Sequence, residues 1–259
     1  MPHPRPALGA AAAFAALVVM LAGCTAAEPE ADPTPTATAT ATGETVAQVS
    51  TTGPVITGTG PTEPYPGVDF PLPDHARSVT IDFECEGGLN FHLEVGDPMA
   101  AGEAALRGTC DGITSLTWPV TEQTAPKLFV WTPEDVAWTA TPHFSTAEFL
   151  RDEAITTECD AFSDIYSAFS NADIGYTEYQ AFDQVEWTRR VDAAIVDLET
   201  LAGASETTMS DPFTALLSWV QGDGHTPGAL LQDTSLIDPI SDTCNTNHSP
   251  LILIGEFGG

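Results

Sequence analysis

Between residues 69 and 142 apolar and polar side chains alternate. Val79, Ile81, Phe83 and Cys85 are interleaved with Thr80, Asp82 and Glu84, and Leu89, Phe91, Leu93 and Val95 with Asn90, His92 and Glu94. A period of two predicts strands with one buried face, and Glu86-Gly87-Gly88 between the two runs predicts a hairpin turn. Further short strands are expected at 104–110, 113–118, 127–131 and 136–141. Gly96-Asp97-Pro98, Asp111-Gly112 and Pro133-Glu134-Asp135 separate them.

At Ser145 the period changes. Ser145 and Glu148 have the spacing of a capping box at a helix start. Ile155, Cys159, Phe162, Ile165 and Phe169 then recur every three or four residues, which is one face of a helix. A second helix carries Val185, Val191, Ile195, Leu198 and Leu201. A third starts at Asp211-Pro212 and holds Phe213, Leu216 and Val220, and a short fourth holds Ile237, Ile240 and Cys244. The expected class is α+β: a small antiparallel β-sandwich over 69–143, followed by a helical bundle over 144–259. The apolar run from Leu251 to Ile254 is expected to be buried as an edge strand, because exposed it favours aggregation.

The first residues follow neither pattern. Arg5 precedes an apolar run from Ala7 to Ala22, too short for a comfortable membrane span of about 20 residues and shaped like an export signal. It ends in Leu21-Ala22-Gly23-Cys24. This tetrad resembles the lipobox of bacterial lipoproteins, and with the stretch that follows it is similar to exported lipoproteins of high-GC Gram-positive bacteria. The lipobox resemblance itself covers only the first 24 residues or so. It implies cleavage between Gly23 and Cys24, a diacylglyceryl group on the Cys24 thiol, and a location on the outer face of the cytoplasmic membrane. Two acyl chains anchor stably where one binds only reversibly. Residues 24–68, rich in Thr, Pro and Ala, are expected to form a disordered linker.

Lipidation of Cys24 leaves Cys85, Cys110, Cys159 and Cys244. Four cysteines in an exported chain predict two disulfides, with three possible connectivities. Cys85–Cys110 and Cys159–Cys244 are favoured, since each pair falls within one compositional region.

Charge narrows the partners. The chain has 37 acidic and 7 basic residues, a net charge of −30. Such a field repels nucleic acid and anionic lipid headgroups and suits a basic envelope protein or a neutral wall glycan. No nucleophile elbow, zinc-binding helix or phosphate loop occurs, and the histidines lack metal-ligand spacing. No cofactor and no metal are expected. His92 is expected on the outward face of its strand. Trp118 and Trp138 fall in phase with core positions. Trp131 shares a face with Phe129, opposite Leu128 and Val130, and is the candidate ligand-contact residue. The leading expectation is a non-catalytic, membrane-anchored envelope binding module. The alternative is a wall-directed hydrolase with its site between sheet and helices.

Overall fold

One long hairpin organises the sheet. The computed structural model describes residues 48–62, 67–99 and 105–257. Strands β1 (Ser50–Thr52), β2 (Ile56–Thr59), β3 (Val68–Asp69), β4 (Ser78–Val95), β5 (Leu106–Pro119), β6 (Lys127–Trp131) and β7 (Ala137–Ser145) precede helices α1 (Glu153–Thr177), α2 (Gln184–Ala204), α3 (Ser210–Val220), α4 (Ala229–Gln232) and α5 (Asp238–Thr246). Sheet and helices belong to one compact unit, Val46–Gly259.

The alternation that predicts two short hairpins forms one. Gly87-Gly88 and Asp111-Gly112 do not turn the chain. Pairing runs from Ser78↔Pro119 to Glu86↔Asp111 and resumes at Asn90↔Thr109, so three residues of β4 face Cys110 alone. Gly87, Gly88 and Gly112 have φ of 121°, 67° and 147°, open to glycine and strained for other residues. They form a bulge, and a bulge bends its strand. The Cys85–Cys110 disulfide sits at this bend.

The bend gives β4 two neighbours on one edge. Residues 78–85 pair with β7, and residues 92–95 pair with β6. All ladders are antiparallel. The result is one curled sheet, a half-barrel, in place of the expected two-sheet sandwich. Because β4 runs unbroken through both halves, the halves cannot separate into facing sheets. Val79, Ile81, Phe83, Phe91, Leu93, Leu116, Trp118 and Trp138 share a single core inside the curl.

The stretch read as linker to residue 68 contains three strands or strand starts. β1 and β2 add to β7, and β3 begins at Val68 beside β6. Their side chains are mostly exposed; what orders them is the hydrogen-bonding edge of β7. Gly58 lies on the Trp138 ring, so close that a Cβ has no room. Trp138 Nε1 donates to the Gly60 carbonyl at 2.9 Å. Residues 1–23, the lipobox with Gly23 and Cys24, and linker residues 25–47 lie outside the described residues.

The first helix begins later than its sequence signal. Ser145 is taken by the sheet, paired with both Ser50 and Ser78. Asp152 caps α1 instead, accepting from the amides of Ala154 and Ile155. The Cys159–Cys244 disulfide joins α1 to α5. Phe162, Phe169, Trp187, Leu198, Phe213 and Ile240 form the core of the helical layer.

Polar bonds sew the two layers together. Arg107 on β5 bonds the Asp242 carboxylate and donates to the Asp238 carbonyl at 3.0 Å. Ser78 Oγ donates to the Ala147 carbonyl. His248 is buried, and its Nε2 lies 2.7 Å from the Thr117 carbonyl. A carbonyl only accepts, so this nitrogen carries the proton. Burial holds the imidazole below its ordinary pKa.

The last segment departs furthest from expectation. The run from Leu251 to Ile254 pairs with no strand, and only Leu251 packs against the helical core. Ile252, Leu253 and Ile254 are 62%, 52% and 65% exposed. The segment lies along α1. The amides of Ile252, Ile254 and Glu256 donate to Ser163 Oγ, Ser167 Oγ and Asn171 Oδ1 at 3.1, 3.0 and 2.7 Å, and Asn171 Nδ2 donates to the Ile254 carbonyl. Ser163, Ser167 and Asn171 recur every four residues, so they stand in one row on the helix. This row supplies the backbone partners that a neighbouring strand would have supplied.

Candidate binding surfaces

The outward positions of the sheet form cross-strand rows. Thr117, Thr80, His143 and Thr52 make one row, Ser115, Asp82 and Thr141 the next, and Ile113, Glu84, Thr139 and Thr57 a third. Of the sheet strands only β5 makes close element contacts with a helix, α5. Hydroxyls and carboxylates dominate these three rows, whose members are half-buried or exposed; toward β6 the same face is closed, with Glu94 and Phe129 buried.

Within these rows His143 bridges two elements. Its Nδ1 is 3.2 Å from Thr52 Oγ1 and its Nε2 is 3.1 Å from Asp82 Oδ2, while Ser115 donates to Asp82 Oδ1. Hydroxyl, imidazole and carboxylate in this order are the parts of an acyl-transfer triad. Transfer also needs donors aimed at a developing oxyanion and a shaped substrate site. Thr52 stands on an exposed edge strand, and none of the four clefts described below is lined by Thr52, Asp82 or His143. Sequence reasoning missed this trio because its members are far apart. Each lies at an outward strand position, but only the register brings them together.

Trp131, the sequence candidate for ligand contact, lies on the outward face near the other end of β4. It pairs with His92, which pairs with Arg107. Trp131 is half-buried and stacks on Phe129, with ring centroids 6.0 Å apart. His92 points outward. Partial desolvation, with Arg107 beside it, holds its imidazole below the ordinary value. Trp118 and Trp138 are both core residues. Trp131 thus packs on the buried Phe129 of its own face, with the polar His92 and Arg107 beside it in the row.

Among the described residues four clefts stand out. A groove of about 700 Å³ runs between β2 and the start of β7, lined by Thr57, Thr59, Glu84, Glu86, Asp135 and Thr139 among others. A second of about 570 Å³ lies beside Asp74, His75, Arg77, Thr121 and Glu122. A smaller cleft of about 380 Å³, lined by Val49, Pro73, Ala76 and Phe144, adjoins it. The fourth, about 310 Å³, lies between α1 and α5 beside Asp242 and Asn247. The seam between sheet and helices, where a site was the alternative expectation, is occupied by Arg107 and His248.

One carboxyl is pushed above the usual range. Asp173 on α1 is raised by burial, against the opposing effect of hydrogen bonds from the Gly228 amide and Trp187 Nε1. Trp187 Nε1 lies 2.8 Å away. The role of Asp173 is structural: it ties the loop before α4 to α1 and α2. Among the described residues no three His, Cys, Asp or Glu side chains are grouped to hold a metal ion. Among them, too, no helix is long and apolar enough to cross a membrane.

Among the described residues the run at 252–254 puts three consecutive apolar side chains on the surface. Nearly all other long exposed side chains of the helical layer are separated singly along the sequence, as Leu150, Tyr179, Val185 and Val196 are. Single exposed apolar residues are ordinary, whereas a contiguous group is a candidate interaction site. No family model matches the chain, and the comparisons find neither a curated relative nor a similar solved structure.

Proposed function

We propose that this chain is a lipid-anchored, extracytoplasmic binding module of a bacterial envelope that docks another protein. The observation that carries the reading is the exposed Ile252, Leu253 and Ile254, whose backbone is fixed to α1 while their side chains meet solvent. Burying three such side chains favours association by roughly 1.5 kcal/mol or more each. The anchor rests on the lipobox and on Cys24, whose diacylglyceryl group holds the module at the outer face of the cytoplasmic membrane. Net charge of −30 favours a basic partner and disfavours nucleic acid. A neutral wall glycan is a further ligand suited to the open hydroxyl rows and to Trp131.

The experiment has two arms. Cys24→Ala should release the protein from membranes and abolish lipid labelling; retained labelling defeats the anchor. In intact cells a photo-cross-linker at position 253 should trap a protein, and one at Glu134, exposed in the turn between β6 and β7, should not. Saturable pelleting of the protein with purified walls, lost in Trp131→Ala, would instead assign the module to glycan.

A second reading is hydrolase, and the Thr52–His143–Asp82 chain is the observation that favours it. Thr52→Ala and His143→Ala should then abolish any wall or ester hydrolysis. Equal activity in both variants removes this reading.

A further inference from the structure

We infer that residues 251–255 form an open strand edge that takes up an extended segment of a partner protein, apolar at alternate positions and flanked by lysine or arginine. The inference rests on the protein-docking reading above and adds the mode and chemistry of docking.

The hydrogen bonding of the segment is one-sided. The amides of Ile252, Ile254 and Glu256 point at α1, as does the Ile254 carbonyl. In an extended chain alternate residues point their backbone groups to opposite sides. Leu253 and Gly255 therefore face away from α1, and among the described residues their amides have no hydrogen-bond partner. One edge is satisfied by Ser163, Ser167 and Asn171. The other is a row of free donors and acceptors beside three exposed apolar side chains. Such an edge is a template for another strand, and backbone bonding with alternating side-chain contacts is the recognition mode of β-strand addition.

Charge selects the occupant. Residues 249–255 carry no charge. The helix they lie on has five acidic residues and no lysine or arginine, and Asp160 and Asp164 are exposed on it. Arg190, which reaches Glu256 at the segment's end, is held by Glu256 and Glu186. A second copy of this chain brings the same negative field and is repelled. An anionic lipid surface is repelled for the same reason. A basic segment is attracted, and its association is steered.

The test uses the full, oxidised chain and three short synthetic peptides. One is Lys-Val-Thr-Val-Thr-Val-Lys, one has Glu in place of both Lys, and one is the basic peptide N-methylated at alternate backbone nitrogens. The basic peptide should bind saturably, roughly tenfold or more tightly than the acidic one at low salt, with the gap closing as salt screens it. It should slow hydrogen exchange at Leu253 and Gly255. Leu253→Pro, which removes an amide the fold does not use, should abolish binding and leave the unfolding midpoint in place. Ile252→Thr with Ile254→Thr should weaken binding independently of that backbone change. The inference is overturned by equal binding of the N-methylated peptide, or by no saturable binding at millimolar peptide. Dimerisation lost in Leu253→Pro would overturn it in favour of a second copy, and binding to phosphatidylcholine vesicles in favour of lipid. Cross-linking from position 253 in cells without peptide binding would keep the docking module and discard strand addition.

Discussion

The two terminal segments of the folded unit behave oppositely. Residues 50–59 are polar and threonine-rich, yet they are strands. Residues 252–254 are apolar, yet they are exposed and lie on a helix. The difference lies in what each segment meets. The first meets the unpaired edge of β7, which accepts and donates backbone hydrogen bonds whatever side chains are offered. The second follows α5 and meets α1, whose backbone is already satisfied. Three side chains on α1 replace a strand edge, and they hold the segment by one side only. Order at both ends is set by partners for the backbone, while side-chain hydrophobicity decides how much surface remains to be covered.

The contrast can be broken most severely at the root of the second segment. Ser249 donates its amide to the Cys244 carbonyl, and Cys244 is bonded across 85 residues to Cys159. Replacing both cysteines with Ala should cost about 4.5 kcal/mol in the chain-entropy picture, read as a lower denaturation midpoint. The first segment should survive this change in the folded fraction. It is broken instead by Gly58→Ala, because the new Cβ collides with the Trp138 ring. Overpacking of this kind costs about 2–3 kcal/mol, and tryptophan fluorescence should shift to the red as β2 lifts away.

Smaller changes sharpen the comparison. Ser163→Ala, Ser167→Ala and Asn171→Ala together remove the partners of three amides, about 1 kcal/mol for each bond. Residues 251–257 should then become the first site of proteolysis, with the rest of the molecule intact. The smallest effect is that of pH. The root of the second segment carries a neutral, buried His248 whose pKa is held down by burial. A depressed imidazole stabilises the fold fully above the ordinary value of about 6.5 and loses that contribution as pH falls below it. The unfolding midpoint should drop between pH 7 and pH 5, and His248→Asn should flatten this fall. Asparagine suits the left-handed backbone at this position, φ 53°.

Much of the interior is legible in the sequence. The alternation around Val79 and Phe91 marks the core face of β4, the spacing of Cys159, Phe162 and Phe169 marks that of α1, and compositional region is enough to favour both disulfide pairings that form. What escapes is set by register and by edges. Gly87-Gly88 satisfies a turn and a bulge equally, since both need positive φ. The choice falls to the partner strand, which continues past Cys110 and carries β4 with it. Ser145 offers a helix cap, but the sheet claims it first. The rows of His143, Asp82 and Thr52 depend on which strand lies beside which, information no local window contains. The serines and asparagine on α1 read as ordinary surface polarity until the final segment is laid across them.

The pairing of β1 and β2 with β7 bears on how an anchored molecule carries tension. If the chain is held from its N terminus and its free strand edge is engaged by another protein, load enters at Ser50. It meets ladders of only three and four residue pairs well before Cys85, the first covalent lock. These short strands give way first, and residues 50–69 add roughly 70 Å of extended chain. The curled sheet and the helices below them keep their shape, so a pull on the complex lengthens the tether while the binding surface stays intact.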